Sequence, residues 1–423
     1  MESATQRGPT RPQGTFYGWY IAAACFFILA FTVGIPLYAM PFYYDYFIET
    51  FGWSRGSTTG GMAFATVLIL PIAGLFVHRF STRKLIIFGM ILWVAALNAF
   101  GIMGGSLVLY YAIWCVVQTA YVTAGPIPNQ VILSQWFHRK RGTAMGIAYL
   151  GLGMGGAVSQ KFIALPLIQR YGWQAALRIS GFLTLVLLPL LLLVVRDRPQ
   201  EKGLHPDGDA IEPPEVRAEP MSFGRLLRQR SFWLLAFGSF CSMGAIGSVT
   251  QHLKLMFLDK GLAEATVADT TFLLLIFSNL GRIGMGWLAD RCPKKFVMVA
   301  AYLFVGLPLP MLFFADQPGI PWIFAMIYGF GLGADFMMIP LMAAELFGAN
   351  SLARVMGIIL PVDSIGLTLF PFVLGVMHDQ LGNYNAALLM ISALALIGAA
   401  AVSLLPKKPP APAAALSEST ELD

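Results

Sequence analysis

Charged residues are scarce in this sequence of 423 residues. Only 12% of them are Asp, Glu, Lys or Arg, against about 25% in a typical soluble domain. Hydrophobic residues make up 57% of the chain, and the mean hydropathy is +0.69. A soluble protein of this length could not cover its surface with so few charges. The composition therefore indicates a polytopic membrane protein.

Cysteine is also scarce, and the five histidines are widely dispersed. The four cysteines have neither the spacing of a disulfide framework nor that of a metal site, and no acid–base–nucleophile cluster is visible. The sequence predicts a protein that is not an enzyme, with no cofactor and no metal. The polar N-terminus runs into an apolar stretch without a cleavable small-residue site, so no removable signal peptide is expected.

Twelve apolar stretches are long enough to cross a bilayer, which takes about 20 residues. We expect an all-α fold with six helices in a half at 17–195 and six in a half at 231–405, separated by a polar loop at 196–230. Residues 1–16 and 406–423 form tails, of which the second is predicted to be disordered. The predicted spans are 17–40, 57–78, 85–104, 107–130, 142–166, 173–195, 232–256, 266–289, 296–315, 320–343, 354–377 and 384–405.

The basic residues give the orientation. Most of the 28 lysines and arginines fall in connections on the side that holds both termini and the loop at 196–230. By the positive-inside rule this side is cytoplasmic, in the cell membrane. The net charge of +6 is therefore interpreted as a topology signal, and no nucleic-acid partner is expected.

The two halves resemble each other. Gly74–Arg79 aligns with Gly286–Arg291 at a shift of 212, and Pro128 and Pro340 share that shift. Two six-helix halves related along the membrane normal are typical of transporters with parallel repeats, whose substrate site lies near the bilayer midplane between the halves. A channel or a membrane-bound enzyme has no need for this duplication.

Three motifs carry a resemblance to a known family. The loops around Gly74–Lys84 and Gly286–Lys295 resemble the signature of the major facilitator superfamily, although the first has His78 where an acid is usual. The segment Trp136–Gly146 is similar to the fifth-span motif of monocarboxylate porters. Tyr17–Tyr20 is similar to the start of oxalate/formate antiporters and their monocarboxylate relatives. The resemblance covers essentially the whole chain and implies the twelve-helix major facilitator fold.

Arg282 is the leading candidate for substrate binding. It lies near the middle of the apolar stretch Thr270–Arg291, where a charge costs roughly 2.5–3.5 kcal/mol and usually serves a function. In the family that we infer, an arginine of the eighth span binds the substrate carboxylate, and Arg282 matches it by position. The alternative is a salt bridge that only holds helices together. Animal-type members carry an aspartate where this chain has Ser278.

Asp363 and Asp335 are candidate proton carriers. Asp363 follows Arg354 by nine residues, or roughly 13 Å of helix, which places it near mid-membrane, and Asp335 lies in a Gly-rich tenth span. Apolar surroundings and a nearby arginine pull the protonation of a carboxylate in opposite directions. Substrate bound at Arg282 would favour protonation of the acid. The alternative is a permanent Arg–Asp ion pair.

Further candidates are weaker. His252 is a candidate for proton relay or substrate binding, with a solvated histidine at the end of its span as the alternative. The other candidates for substrate binding, each with a purely structural alternative, are Tyr121, Asn129, Asn279 and Tyr38. The glycine run Gly151–Gly156 is expected to let helices approach closely. A cytoplasmic charge network that governs the conformational cycle is predicted from Arg79, Arg139, Arg141, Asp290 and Arg291.

These features predict a proton-coupled importer of short monocarboxylates such as lactate or pyruvate, working by alternating access as a monomer in the lipid bilayer. A second hypothesis keeps the fold but exchanges carboxylates. Oxalate exchangers, however, carry a second cation in span eleven, where this chain has Asp363. A third hypothesis, a receptor-like or scaffolding protein, does not account for the duplication.

Overall fold

A computed structural model describes residues 16–77, 80–137, 140–209, 221–289, 291–348 and 351–406. These residues are almost entirely helical, and they contain no β-strand. Ten of the helices are long and apolar enough to cross a membrane. One of them, Gly142–Leu193, is divided at Gly172, whose φ of 78° and ψ of 162° lie outside the helical region. With Arg55–Val77, the described residues provide twelve spans.

We number these spans α1 to α12 in chain order. Their bounds are α1 Gly18–Phe51, α2 Arg55–Val77, α3 Thr82–Ile102, α4 Leu107–Trp136, α5 142–171, α6 173–193, α7 Arg230–Asp259, α8 Glu264–Ala289, α9 Lys294–Phe314, α10 Ile320–Phe347, α11 Leu352–Leu381 and α12 Asn385–Ser403.

The first span is longer than predicted. We expected it to end near residue 40, but α1 continues to Phe51. A π-helical turn at Ala30–Gly34 and a 3₁₀ turn at Met40–Tyr43 keep the chain helical through Pro36 and Pro41. Such local changes of helix type re-satisfy the backbone groups that a proline leaves without a bond.

The chain divides into two compact units. The first comprises the residues up to Phe51 together with 64–216, and the second comprises 52–63 together with 217–423. The boundary near residue 216 lies within the loop predicted at 196–230. The first two turns of α2 belong to the second unit, which hydropathy alone does not indicate.

In the first unit, α1 and α5 meet through glycines. A Cβ atom on Gly151 would lie 2.0 Å from the carbonyl oxygen of Phe26, and one on Gly155 would lie 2.5 Å from that of Ala30. Only glycine permits so close an approach of two backbones. The expected packing role of the run Gly151–Gly156 is confirmed at these two positions.

In the second unit, α8 and α10 are in similarly close contact. A Cβ atom on Gly333 would lie 1.7 Å from the carbonyl oxygen of Ser278, and one on Gly329 would lie 2.2 Å from that of Leu274. Gly331 instead faces Ala301 and Phe304 of α9. Alternate glycines of α10 therefore face different neighbours, and this fixes the direction in which the rest of that helix points.

Candidate functional site

Arg282 is buried in α8, with only 8% of its surface exposed. Ser278, one turn earlier on the same helix, is fully buried. The two residues lie four positions apart and therefore share a face of the helix. The contact between Ser278 and Gly333 ties that part of α8 to α10. Arg282 thus has a rigid backbone position inside a membrane-spanning helix.

Asp335 is completely buried in α10 and faces away from the α8 contact. It lies one turn after Gly331, on the face that meets α9, and about 200° around the helix from Gly333. The hydroxyl groups of Tyr302 in α9 and Ser242 in α7 lie next to its carboxylate. Asp335 therefore belongs to the interior of the second unit.

Asp363 of α11 lies close to Asp335. It is 4% exposed, its carboxylate lies next to the hydroxyl of Ser239, and it is close enough to Asp335 for the two charges to interact. Ser239 and Ser242 are three residues apart, so they share one face of α7. We call this group the acid–hydroxyl cluster; it consists of Ser239, Ser242, Tyr302, Asp335 and Asp363.

The polar atoms of this cluster are close but not hydrogen-bonded to each other. Among the described residues, none of the four carboxylate oxygens of Asp335 and Asp363 has a hydrogen-bond partner, and the hydroxyls of Tyr302 and Ser242 also lack one. The hydroxyl of Ser239 donates to the carbonyl of Ala236 at 3.1 Å. Neither acid is hydrogen-bonded to Arg282. The arrangement does not support a permanent Arg–Asp pair for these residues.

Two of the candidate tyrosines lie together in the first unit. Tyr121 is half-buried and lies close to Tyr38 and to Tyr149. The backbone carbonyl of Tyr38 accepts a hydrogen bond from the Gln160 side chain at 2.8 Å. The structure thus places three phenol groups within one small region, of which the sequence indicated only two.

The two candidate asparagines use their donors locally. The side-chain nitrogen of Asn129 donates to the carbonyl of Gly125 at 2.8 Å, and that of Asn279 donates to the carbonyl of Leu275 at 3.0 Å. Their side-chain oxygens have no hydrogen-bond partner among the described residues. An acceptor oxygen cannot bind a carboxylate, so in this arrangement both residues are suited to stabilising a helix.

His252 is completely buried in α7, which excludes the solvated alternative for this arrangement. Its Nε2 lies 2.9 Å from the carbonyl oxygen of Pro371, and its Nδ1 lies 2.8 Å from the hydroxyl of Tyr384. Because a carbonyl only accepts, Nε2 must carry the proton, and neutral Nδ1 accepts from Tyr384. Both ring nitrogens are therefore occupied.

Tyr384 connects His252 to a charged group that we had not predicted. Arg55, at the first residue of α2, donates to the Tyr384 hydroxyl at 3.0 Å and to both carboxylate oxygens of Asp259 at 2.5 and 2.6 Å. Burial raises the pKa of Tyr384 above its ordinary value, although the Arg55 charge lowers it. The phenol therefore stays protonated and can donate to His252.

Asp379 holds the same helix end. Its two carboxylate oxygens accept from the backbone nitrogens of Arg55 and Gly56 at 3.0 and 2.8 Å, so it caps the N-terminus of α2 from another helix. His378 lies 3.3 Å from Asp259. No sequence signal identifies the contacts of Arg55, because they join residues 204 to 329 positions apart and charges at span ends resemble solvated residues.

Most of the predicted charge network lies outside the described residues. Arg79, Arg139 and Asp290 fall in the gaps, as does the side chain of Arg141. Arg291 stacks over the ring of Trp287, with its guanidinium carbon 3.9 Å from the ring centroid, and donates to the Trp287 carbonyl at 3.3 Å. This network remains a prediction.

Known proteins resemble the chain over most of its length. A family model described as Major Facilitator Superfamily matches residues 20–334 and 259–421. Monocarboxylate transporter 11 of Mus musculus is 24% identical over 414 residues, which are 95% of this chain and 90% of that protein. The hexuronate transporter of Escherichia coli strain K12 is 24% identical over 368 residues, 82% of this chain and 83% of that protein.

A solved structure supports the same fold. A bacterial homologue of the human lysosomal transporter Spinster, in an inward-facing and unoccupied conformation, matches with a TM-score of 0.69 at 16% identity. The match covers 94% of this chain and 98% of the other. At this identity, the likeness concerns the architecture alone.

Proposed function

The chain belongs to the major facilitator superfamily and is a multi-pass membrane transporter, and from this premise we propose that it moves short monocarboxylates together with a proton by alternating access. Lactate and pyruvate are the substrates that we propose to test first. The proposed orientation places both termini in the cytoplasm, and the proposed active form is a monomer in the cell membrane.

The observation that carries this proposal is the buried guanidinium of Arg282. A planar guanidinium holds a carboxylate through two parallel hydrogen bonds, which a lysine cannot do. Monocarboxylate transporter 11 and the hexuronate transporter are both named for anions with one carboxylate, which supports a site of this kind. We propose that Arg282 binds the carboxylate and that Tyr38 and Tyr121 are further hydroxyl donors.

Asp335 and Asp363 are the proposed proton carriers. Both are buried, and neither has a hydrogen-bonded cation among the described residues. A carboxylate in such surroundings is strongly disfavoured in its charged form, so protonation neutralises it at the lowest cost. Since both nitrogens of His252 are already bonded, we do not include it among the proposed substrate ligands.

Carboxylate exchange is the alternative function. It is supported by the similarity to oxalate/formate antiporters in the motif Tyr17–Tyr20. It is opposed by Asp363, which occupies the span in which such exchangers carry a second cation. An exchanger would take up substrate only into vesicles that contain a carboxylate, without any need for a proton gradient.

Uptake of labelled L-lactate into proteoliposomes with an imposed inward proton gradient tests the proposal. We expect the wild type to accumulate lactate and Arg282→Ala to lose about 100-fold or more in kcat/KM, because truncating one partner of a buried charge pair costs roughly 2–5 kcal/mol. Arg282→Lys keeps the charge but not the paired geometry, and its KM should rise more than its kcat falls.

The matched control is Arg225→Ala, which removes an exposed arginine and should transport like the wild type. Uptake that depends on preloaded carboxylate and not on the gradient would favour exchange. Equal transport by Arg282→Ala and the wild type would contradict the proposed substrate site.

A further inference from the structure

The acid–hydroxyl cluster has the composition of a binding site. It brings two carboxylates and three hydroxyls together from α7, α9, α10 and α11. Its members are all at least nine-tenths buried. Cys241 is a further titratable side chain near Tyr302. The neighbouring helix α8 carries Arg282, and also Glu264 and Asp269 nearer its N-terminus.

The polar atoms of the cluster that lack hydrogen-bond partners destabilise the folded protein. An isolated ionised carboxylate in an apolar interior is strongly unfavourable, and a second one nearby adds repulsion. The phenol of Tyr302 and the hydroxyl of Ser242 are also buried without a hydrogen-bond partner in the part of the chain that the structure describes. One small cation between the carboxylates would neutralise one of the two charges and reduce the repulsion between them.

We propose that the acid–hydroxyl cluster is a single site for one monovalent cation, a proton or a sodium ion, which Asp335 and Asp363 hold jointly. The two acids act as one site because they are close enough for their charges to interact and both lie beside the same face of α7. A divalent ion fits poorly. Ca²⁺ takes about 6–8 oxygen ligands, and no group of three or more acidic, His or Cys ligands occurs among the described residues.

This cation site is separate from the Arg282 site. Gly329 and Gly333 turn one face of α10 toward α8, whereas Gly331 and Asp335 lie on the face that meets α9. Because neither carboxylate is hydrogen-bonded to the guanidinium, the cation would influence Arg282 through α10. That this cation is the coupling ion of transport rests on the proposed function. Its binding can be measured without transport.

The test is thermal unfolding of the purified full-length protein in lipid nanodiscs, followed by tryptophan fluorescence. In one arm, NaCl replaces choline chloride at fixed pH and constant ionic strength. In the other arm, only the pH changes, in choline chloride. Stabilisation by sodium identifies a sodium site, because a ligand that binds only the folded state raises stability with its concentration.

A proton site gives a different result. The wild type should then be insensitive to sodium and should lose stability as the pH rises and the pair gives up its shared proton, because the folded state favours the pair that shares a proton over the doubly charged pair. In either arm, Asp335→Asn and Asp363→Asn should each weaken the response by about 30-fold or more in apparent affinity. The double variant should lose little beyond either single variant, because the residues share one site.

The control is Thr123→Val in the first unit, which should respond like the wild type. Tyr302→Phe provides a milder variant, which should weaken the response without removing a charge. The proposal is overturned if the double variant responds to both sodium and pH like the wild type, or if the two single variants have independent, additive effects.

The result for this cation site can be distinguished from the result for the proposed function. A cation response that depends on the two acids, with no gradient-driven carboxylate uptake, would retain the site and reject the transport proposal. Gradient-driven uptake that survives in Asp335→Asn/Asp363→Asn would retain proton-coupled carboxylate transport but reject both this site and the role of the two acids as proton carriers.

Discussion

The two six-helix halves place different side chains at matching positions. Under the shift of 212 that Pro128 and Pro340 define, Asp335 corresponds to Thr123. Under the shift of 211 that relates Met145 to Met356, Asp363 corresponds to Leu152. The hydroxyl of Thr123 donates to the carbonyl of its own helix at Thr119, at 2.7 Å, and Leu152 is an apolar residue that is 7% exposed.

This difference shows what the fold itself does not require. A half of this architecture packs with a self-satisfied threonine and a leucine where the other half has two acids. Buried acids without hydrogen-bond partners weaken a fold, so packing alone does not explain their presence in the second half, and the role that we propose for them is binding. Arg282 follows the same rule, since its counterpart at a shift of 212 is Leu70.

A second difference lies at the start of the last helix in each half. At a shift of 211, Trp173 corresponds to Tyr384. Trp173 packs edge-on against Phe47, with ring centroids 5.3 Å apart, whereas Tyr384 is bonded to His252 and Arg55. One half uses aromatic packing at this position, whereas the other uses hydrogen bonds that include the charged side chain of Arg55.

The largest effect should come from placing an acid in the first half. Leu152→Asp buries a carboxylate where the matching cluster is missing, and we expect it to destabilise the protein by roughly 3 kcal/mol or more. Leu152→Asn is the neutral control and should cost less. Thermal unfolding in nanodiscs measures both. If Leu152→Asp were as stable as the wild type, the first half would accept a buried carboxylate as well as the second half does, and the inferred difference between the halves would be wrong.

A smaller effect is expected at the glycines that join helices in each half. A Cβ atom at Gly247 would lie 2.0 Å from the carbonyl oxygen of Leu367, and one at Gly151 would lie 2.0 Å from that of Phe26. Gly247→Ala and Gly151→Ala should each lower the free energy of unfolding by about 1–3 kcal/mol, because the helices must separate.

The control for these substitutions is Gly357→Ala in α11, where an added Cβ atom would meet no neighbouring group within 4 Å. Alanine is the better helix former, so Gly357→Ala should be neutral or slightly stabilising. Equal melting temperatures for all three variants would show that these contacts do not hold the helices together.

The smallest of these effects should follow removal of one hydroxyl. Tyr384→Phe leaves the Nδ1 atom of His252 buried without a donor, which costs about 1–3 kcal/mol. Trp173→Phe in the first half keeps an apolar ring. It should lower the free energy of unfolding by less than about 3 kcal/mol, which is typical of large-to-small changes in a core. Thermal unfolding in nanodiscs measures both variants, and a wild-type melting temperature for Tyr384→Phe would show that the hydrogen bond to His252 does not stabilise the fold.

The sequence predicted the architecture because the length of each apolar stretch is a local property of the chain. The orientation that the basic residues indicate stays a prediction. The sequence also singled out Arg282, since a lone charge in an apolar span is visible without any knowledge of its neighbours. It did not predict that Asp335 and Asp363 lie close to Tyr302, because this depends on how α10 is rotated about its own axis. The Arg55–Asp259 pair was missed for a similar reason: it depends on the position of a helix end that hydropathy does not specify.

Proton movement that accompanies lactate is the most direct test of the account. Lactate is added to weakly buffered proteoliposomes without a gradient, and the change in external pH is expressed per labelled lactate taken up. We predict about one proton per lactate for the wild type and for Thr123→Val. Asp335→Thr/Asp363→Leu, which gives the second half the residues of the first, should move none while melting at or above the wild-type temperature. Proton movement at the wild-type ratio in this variant would contradict the account.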